Sequence, residues 1–231
     1  MKLWQPRKGY RFSVDAPLLA SFVRIKGGER VIELGSGNGV ILLLLATRAP
    51  RAREMVGLEI QREMVKLAEE NVLLNGYEGL IRMVHGDIRE CKRLFAPESF
   101  DLVLSNPPYH PVGRGRVSLL STKAVARHEI FGGIEDILRA SRYLLKGGGR
   151  AYYIYPSRRA ATLLALMRSF KLEPKLIRWV HPSPGEGAKM LLVEGVKGAS
   201  EGLEVSPPLY IHGEGGEYTE ETRRILYGGR R

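Results

Sequence analysis

The chain has 231 residues with 44% hydrophobic content, enough to bury a sizeable core, and no run of about 18 apolar residues that would span a membrane. Its single cysteine, Cys91, excludes an internal disulfide framework and a cysteine-based zinc site, and no metal is expected. With 36 Lys and Arg against 25 Asp and Glu, the formal charge is +11, a field that attracts polyanions, of which nucleic acid is the commonest inside cells.

The opening residues, Met1 to Gly9, are basic but lack the apolar stretch and small-residue site of a signal peptide, so a soluble cytoplasmic protein is expected. "APLLASFV" suggests a helix before the first buried strand, "RVIEL" (30–34). A glycine turn then leads into the apolar helix "VILLLLATR" (40–48). "EMVGLEI" (54–60) reads as a second strand. In "QREMVKLAEENVLLNG" (61–76), Met64, Leu67, Ala68, Val72 and Leu74 fall near helical spacing and Asn75-Gly76 ends the run. "LIRMVHGD" (80–87) and "FDLVLSN" (100–106) give a third and a fourth strand.

A polar loop leads to a helix around Ile130 to Leu145, closed by "KGGG". "RAYYIYP" (150–156) is a fifth strand, and "SRRAATLLALMRSF" (157–170) a helix for which Ser157 could serve as cap. "KLIRWVH" (175–181) and "AKMLLVEGVKG" (188–198) follow, and the short turn between them makes them antiparallel. From Ala199 the chain is Gly- and Pro-rich, with a short helix-like "YTEETRRILYG". Alternating strands and helices predict a parallel α/β sheet in one domain spanning 1–231. Residues 1–28 form an N-terminal segment and 199–231 a C-terminal tail.

The strand-to-helix turn "ELGSGNG" holds Gly35, Gly37 and Gly39, which let the backbone bend sharply and approach a ligand closely. Taken alone, it is either a packing turn or a nucleotide site. The spacing is not the G-x-G-x-x-G of a pyrophosphate binder, and Glu33 before it disfavours phosphate and suits a cationic amine. Glu59, closing the second strand, can accept from ribose hydroxyls. Asp87, closing the third, can meet the exocyclic amine of an adenine; alone, it reads more readily as a helix cap or a solvated loop acid. Amine, ribose and adenine binders in that order describe S-adenosylmethionine.

"NPPY" (106–109) ends the fourth strand, beside that pocket. Its prolines stiffen the backbone and remove two amide donors, leaving carbonyls free to accept. The Asn106 side-chain oxygen and the Pro107 carbonyl can accept hydrogen bonds from a conjugated planar amine, letting its nitrogen pyramidalise towards a methyl donor. Tyr109 can stack on the base, a contact worth roughly 1–3 kcal/mol.

"VIELGSGNG", "GLEI", "HGDI" and "SNPPY", in that order, resemble class I S-adenosylmethionine-dependent methyltransferases of the amino-methylating branch. "DAPLLASFV" and "SNPPYHPVGRGRVS…AVARHE" are similar to the tRNA adenine-N6 methyltransferases that act on a valine tRNA. The resemblance runs from about residue 10 to residue 198; the tail matches that family only loosely. It implies a Rossmann-like seven-stranded sheet, order 3-2-1-4-5-7-6 with one antiparallel strand, and a segment 1–28 covering the cofactor pocket. Asn106, Pro107, Pro108 and Tyr109 would form the catalytic corner. Glu33, Gly35, Ser36, Gly37, Asn38, Gly39, Glu59, Ile60, Asp87, Ile88 and Asn106 would line the cofactor. Asp15 would either help close that pocket or cap its own helix.

The expected partner is RNA, with tRNA foremost. Arg114, Arg116, Arg127 and His128 flank the corner, where cations can grip phosphates around a splayed nucleotide, and Gly113 and Gly115 predict a loop ordered by substrate. His128 also reads as a helix-start residue. Lys2, Arg7, Lys8 and Arg11 either extend this basic surface or form a solvated start. Three alternatives stay open: a release-factor glutamine methyltransferase, an rRNA guanine-N2 methyltransferase, and a binding module without catalysis.

Overall fold

Runs of Val, Ile and Leu covered on both faces build the strands, and the helices between them supply the cover. The structure is a computed structural model that describes residues 1–5, 13–49, 51–107 and 133–228. In chain order it contains α1 (Asp15–Phe22), β1 (Arg30–Leu34), α2 (Val40–Arg48), β2 (Glu54–Glu59), α3 (Arg62–Leu74) and β3 (Ile81–His85). There follow α4 (Cys91–Leu94), β4 (Phe100–Ser105), α5 (Ile134–Leu144), β5 (Leu145–Pro156) and α6 (Ala160–Ser169). The last elements are β6 (Leu172–His181), β7 (Met190–Lys197), β8 (Glu204–Val205), β9 (Leu209–Tyr210) and α7 (Glu220–Tyr227).

The sheet runs β3-β2-β1-β4-β5-β7-β6, with β7 antiparallel to both neighbours, as the sequence predicts. The tail extends it. β8 and β9 each pair in parallel with β6, giving nine strands where seven were expected. Arg178 of β6 donates from both Nη atoms to the Glu221 carboxylate at 2.7 and 2.8 Å, and Arg48 donates to the Ile225 carbonyl at 3.2 Å. These bonds seat α7 on the body of the protein, so the Gly- and Pro-rich tail is built in.

Neighbouring strand residues point to opposite faces. Val31, Leu102, Leu104, Tyr152 and Ile154 pack with Leu18 and Leu19 of α1 and Leu42 and Leu43 of α2. Ile32, Val103, Tyr153 and Tyr155 pack with Leu138 of α5 and Leu163 of α6 on the other face.

Three local expectations are corrected. Leu74 turns outward, and the buried stripe of α3 is Val65, Ala68, Asn71 and Val72. Ser157 does not cap α6; its hydroxyl donates to the Ala188 carbonyl, and a 3-10 turn (Ser157–Arg159) precedes the helix. The "KGGG" run lies inside β5 rather than beyond it, because its backbone follows directly from α5 into the sheet.

Candidate functional site

Every strand from β1 to β4 runs the same way, so their carboxyl ends open on one edge of the sheet, where parallel sheets bind ligands. Glu33 lies in register with Gly57 of β2 and Leu104 of β4 and is 1% exposed. Its Oε2 has no hydrogen-bond partner among the described residues. Burial pushes its carboxyl well above the usual range, the neighbouring Glu59 pushes further, and the Leu42 amide opposes them. A buried acid held this way favours its protonated form more than a solvated carboxyl does.

The turn after β1 folds back on β2. The amides of Gly35 and Ser36 both donate to the Leu58 carbonyl, at 2.8 and 3.2 Å. The Gly37 amide donates to Glu59 Oε2 and the Gln61 amide to Glu59 Oε1, each at 2.9 Å. Glu59, 2% exposed, is clasped between the turn and the start of α3, and each of its oxygens keeps a lone pair for a further donor. Gly35 and Gly39 adopt φ of 75° and 78°, which a side-chain-bearing residue takes at a cost. A Cβ on Gly39 would also lie 3.3 Å from Cβ of Ala68. Ser36 is buried, and its hydroxyl has no hydrogen-bond partner among the described residues. The Ile60 carbonyl lies 3.0 Å from His85 Nε2.

Asp87 serves as the cap that its alternative reading gave. It accepts from the Arg89 amide at 2.8 Å and from the Arg89 guanidinium, which holds its carboxyl below the usual carboxylate range. Ile88 beside it is buried. Asp15 stands in the first turn of α1, where its carboxylate accepts from the Ser13 hydroxyl at 2.7 Å. Burial raises that carboxyl.

At the end of β4, the Ser105 hydroxyl donates to the Leu34 carbonyl at 2.7 Å and ties this strand end to the start of the glycine turn. Asn106 follows half-buried and Pro107 buried. The fold thus brings Glu33, Ser36, Glu59, Asp87 and Asn106 to one edge. Pro108, Tyr109, Arg114, Arg116, Arg127 and His128, with the Gly113–Gly115 loop, lie outside the described residues.

Sequence reasoning missed Asn71 and Gly57. Asn71, fully buried in α3, accepts from the Trp4 amide at 2.6 Å and donates to the carbonyls of Trp4 and Asn38, both at 3.1 Å. One turn on, Asn75 pairs with both backbone groups of Lys2, at 2.9 and 2.7 Å. The chain start is therefore held against the helix beside the glycine turn, and Asn38 reaches Trp4 as well. A polar residue inside the apolar stripe of α3 was the available signal. A Cβ on Gly57 would meet Cε of Met83 at 2.5 Å and Oγ of Ser36 at 2.8 Å, so this strand glycine makes room for the turn. Among the described residues no three His, Cys, Asp or Glu cluster as metal ligands would, and no helix is long and apolar enough to cross a membrane.

Known proteins resemble this chain in sequence and in fold. A tRNA1(Val) (adenine(37)-N6)-methyltransferase of Aeromonas salmonicida is 26% identical over 224 residues, covering 96% of this chain and 90% of that protein. One of the same name from Tolumonas auensis is 29% identical over 164 residues, covering 70% of this chain and 66% of its own. Among solved structures, Atu636 of Agrobacterium tumefaciens, described as a predicted O-methyltransferase, superposes with a TM-score of 0.75 at 26% identity, over 93% of this chain and 96% of that one. Residues 25–187 match the family described as methyltransferase domain. With its sheet order, its glycine turn and this match over most of its length, the chain belongs to the methyltransferase domain family.

Proposed function

We propose that the protein transfers a methyl group from S-adenosylmethionine to the exocyclic N6 of an adenine in tRNA. The observation that carries this reading is the succession of Glu33, Glu59, Asp87 and Asn106-Pro107 at the carboxyl ends of β1 to β4, in a chain whose relatives bear that activity in their names.

The pocket residues fit the cofactor. Glu33 offers an unpaired buried oxygen to an ammonium, Ser36 an unpaired hydroxyl, and Glu59 two free lone pairs to ribose hydroxyls. Asp87, whose oxygens accept four bonds from Arg89, would exchange part of that contact to accept from an adenine amine. When bound, the cofactor supplies a methyl group already activated on a sulfonium, so the protein's share is orientation. The Asn106 side-chain oxygen and the Pro107 carbonyl accept from the substrate amine and aim its lone pair. Tyr109 stacks on the base. Arg114, Arg116, Arg127 and His128 hold the adjoining phosphates.

The test is incubation with methyl-labelled S-adenosylmethionine and unmodified tRNA, followed by nucleoside analysis. N6-methyladenosine is the expected product. Label on guanine, on ribose, or only on a release factor offered in parallel would overturn the reading.

A further inference from the structure

Cofactor ligands occupy the β1–β3 half of the carboxyl edge and leave the half above β5, β7 and β6 without an assigned task. Register places this half on the same edge as Asn106: Ser105 pairs with Tyr153, Pro156 with Met190, Met190 with Val180, and His181 with Tyr210 of the tail strand β9. Three cations lie along it. Arg158 and Arg159 follow the end of β5, and Lys189 precedes β7. None of the three has a carboxylate partner among the described residues, whereas about half of the other described arginines do. They form one backbone unit, because the Ser157 amide donates to the Lys189 carbonyl and the Lys189 amide to the Val180 carbonyl, both at 2.9 Å.

Aromatic rings stand at the outer end of this row. His181 and Tyr210 lie with centroids 5.2 Å apart, and beyond them His212 stacks on Tyr218 at 5.0 Å and 18°. All four are half-buried, held in place yet open on part of their surface. Cations followed by partly open rings are what a single nucleic-acid strand requires: phosphate contacts along the backbone and faces for bases to stack on. Glu186, whose carbonyl lies 2.7 Å from His181 Nδ1 and whose carboxylate accepts from the Ser183 hydroxyl at 2.6 Å, adjoins the first ring pair.

We infer that Arg158, Arg159 and Lys189, with the His181–Tyr210 ring pair, form a second RNA-binding track that holds the strand flanking the target nucleotide. The inference rests on the RNA reading above and deepens it. Three strand spacings of about 4.8 Å separate β4 from β6, so the track ends roughly 14 Å to one side of Asn106. A stacked strand advancing about 3.4 Å per nucleotide covers that in about four nucleotides. The tail, through Tyr210 of β9, thus supplies part of the substrate surface.

Binding of unmodified tRNA across a salt series and steady-state methylation test the track in the full-length protein. Combined Arg158→Glu, Arg159→Glu and Lys189→Glu should raise KM for tRNA at least about tenfold and reduce the salt dependence of binding by about two to three counterions. Tyr210→Leu should raise KM about 5- to 150-fold with little effect on the salt slope. In both variants kcat at saturation and the affinity for S-adenosylmethionine stay within about twofold of the native enzyme, since neither touches the reacting atoms. A native enzyme that methylates tRNA, beside a charge-reversed variant with unchanged KM and salt slope, refutes the track alone. A native protein that neither binds nor methylates RNA removes the functional reading and the track together.

Discussion

Glu33→Gln should improve the free protein while damaging the site. Glu33 is 1% exposed, has an oxygen without a partner, and lies close enough to Glu59 for the two charges to repel. Its raised carboxyl binds a proton more tightly in the folded than in the unfolded chain. Folded stability therefore falls as pH rises from the ordinary glutamate value through the raised one, and the full penalty is present above it. Gln cannot ionise, so its advantage is absent at about pH 4, below the ordinary glutamate value, and grows as pH rises towards about pH 7. Each pH unit in that interval costs the ionisable side chain about 1.4 kcal/mol, which in a domain of this size moves Tm by about 3–6 °C. The same substitution deletes a charge-assisted bond to the ligand ammonium, worth about 1.5–3 kcal/mol, or an approximately 10- to 150-fold weaker Kd. Thermal scans at the two pH values and calorimetric titration with S-adenosylmethionine read both effects. An unchanged Kd, or a Tm gain that does not grow with pH, would show that Glu33 is a structural acid and nothing more.

Asn106→Ala should leave S-adenosylmethionine affinity within about threefold and lower kcat by about a hundredfold or more, as expected when a group aimed at the reacting atom is lost; single-turnover methylation beside titration separates the two. Asn71→Leu should detach Trp4, destabilise the fold by about 1–3 kcal/mol and shift Trp4 fluorescence, read in a background lacking Trp179. Gly57→Val should weaken cofactor binding by displacing Ser36, whereas a strand that merely tolerates valine would bind as before. Asp87 contributes stability above the ordinary aspartate value that is lost as pH falls through its lowered one, so Asp87→Asn should flatten the acid limb of the Tm profile; an unchanged limb would place the Arg89 contact outside the stability of the fold.

Local pattern carried much of this protein. Alternating apolar strands and helices dictated the parallel sheet, because burial on two faces demands continuous apolar runs joined by covering helices. Glu33, Glu59, Asp87 and Asn106 were legible because each ends or follows a strand, and strand ends in such a sheet meet on one edge. Contacts between segments far apart in sequence were decided by tertiary structure. β8 and β9 are two residues each, too short to leave a periodic signal, and exist because β6 offers an edge and Arg178 fixes Glu221. Asn71 reads as a break in an apolar stripe until Trp4 is laid against it. The Glu33 oxygen that lacks a partner among the described residues lies where β1 meets β2 and β4 in register, a relation that no one strand's residues contain alone.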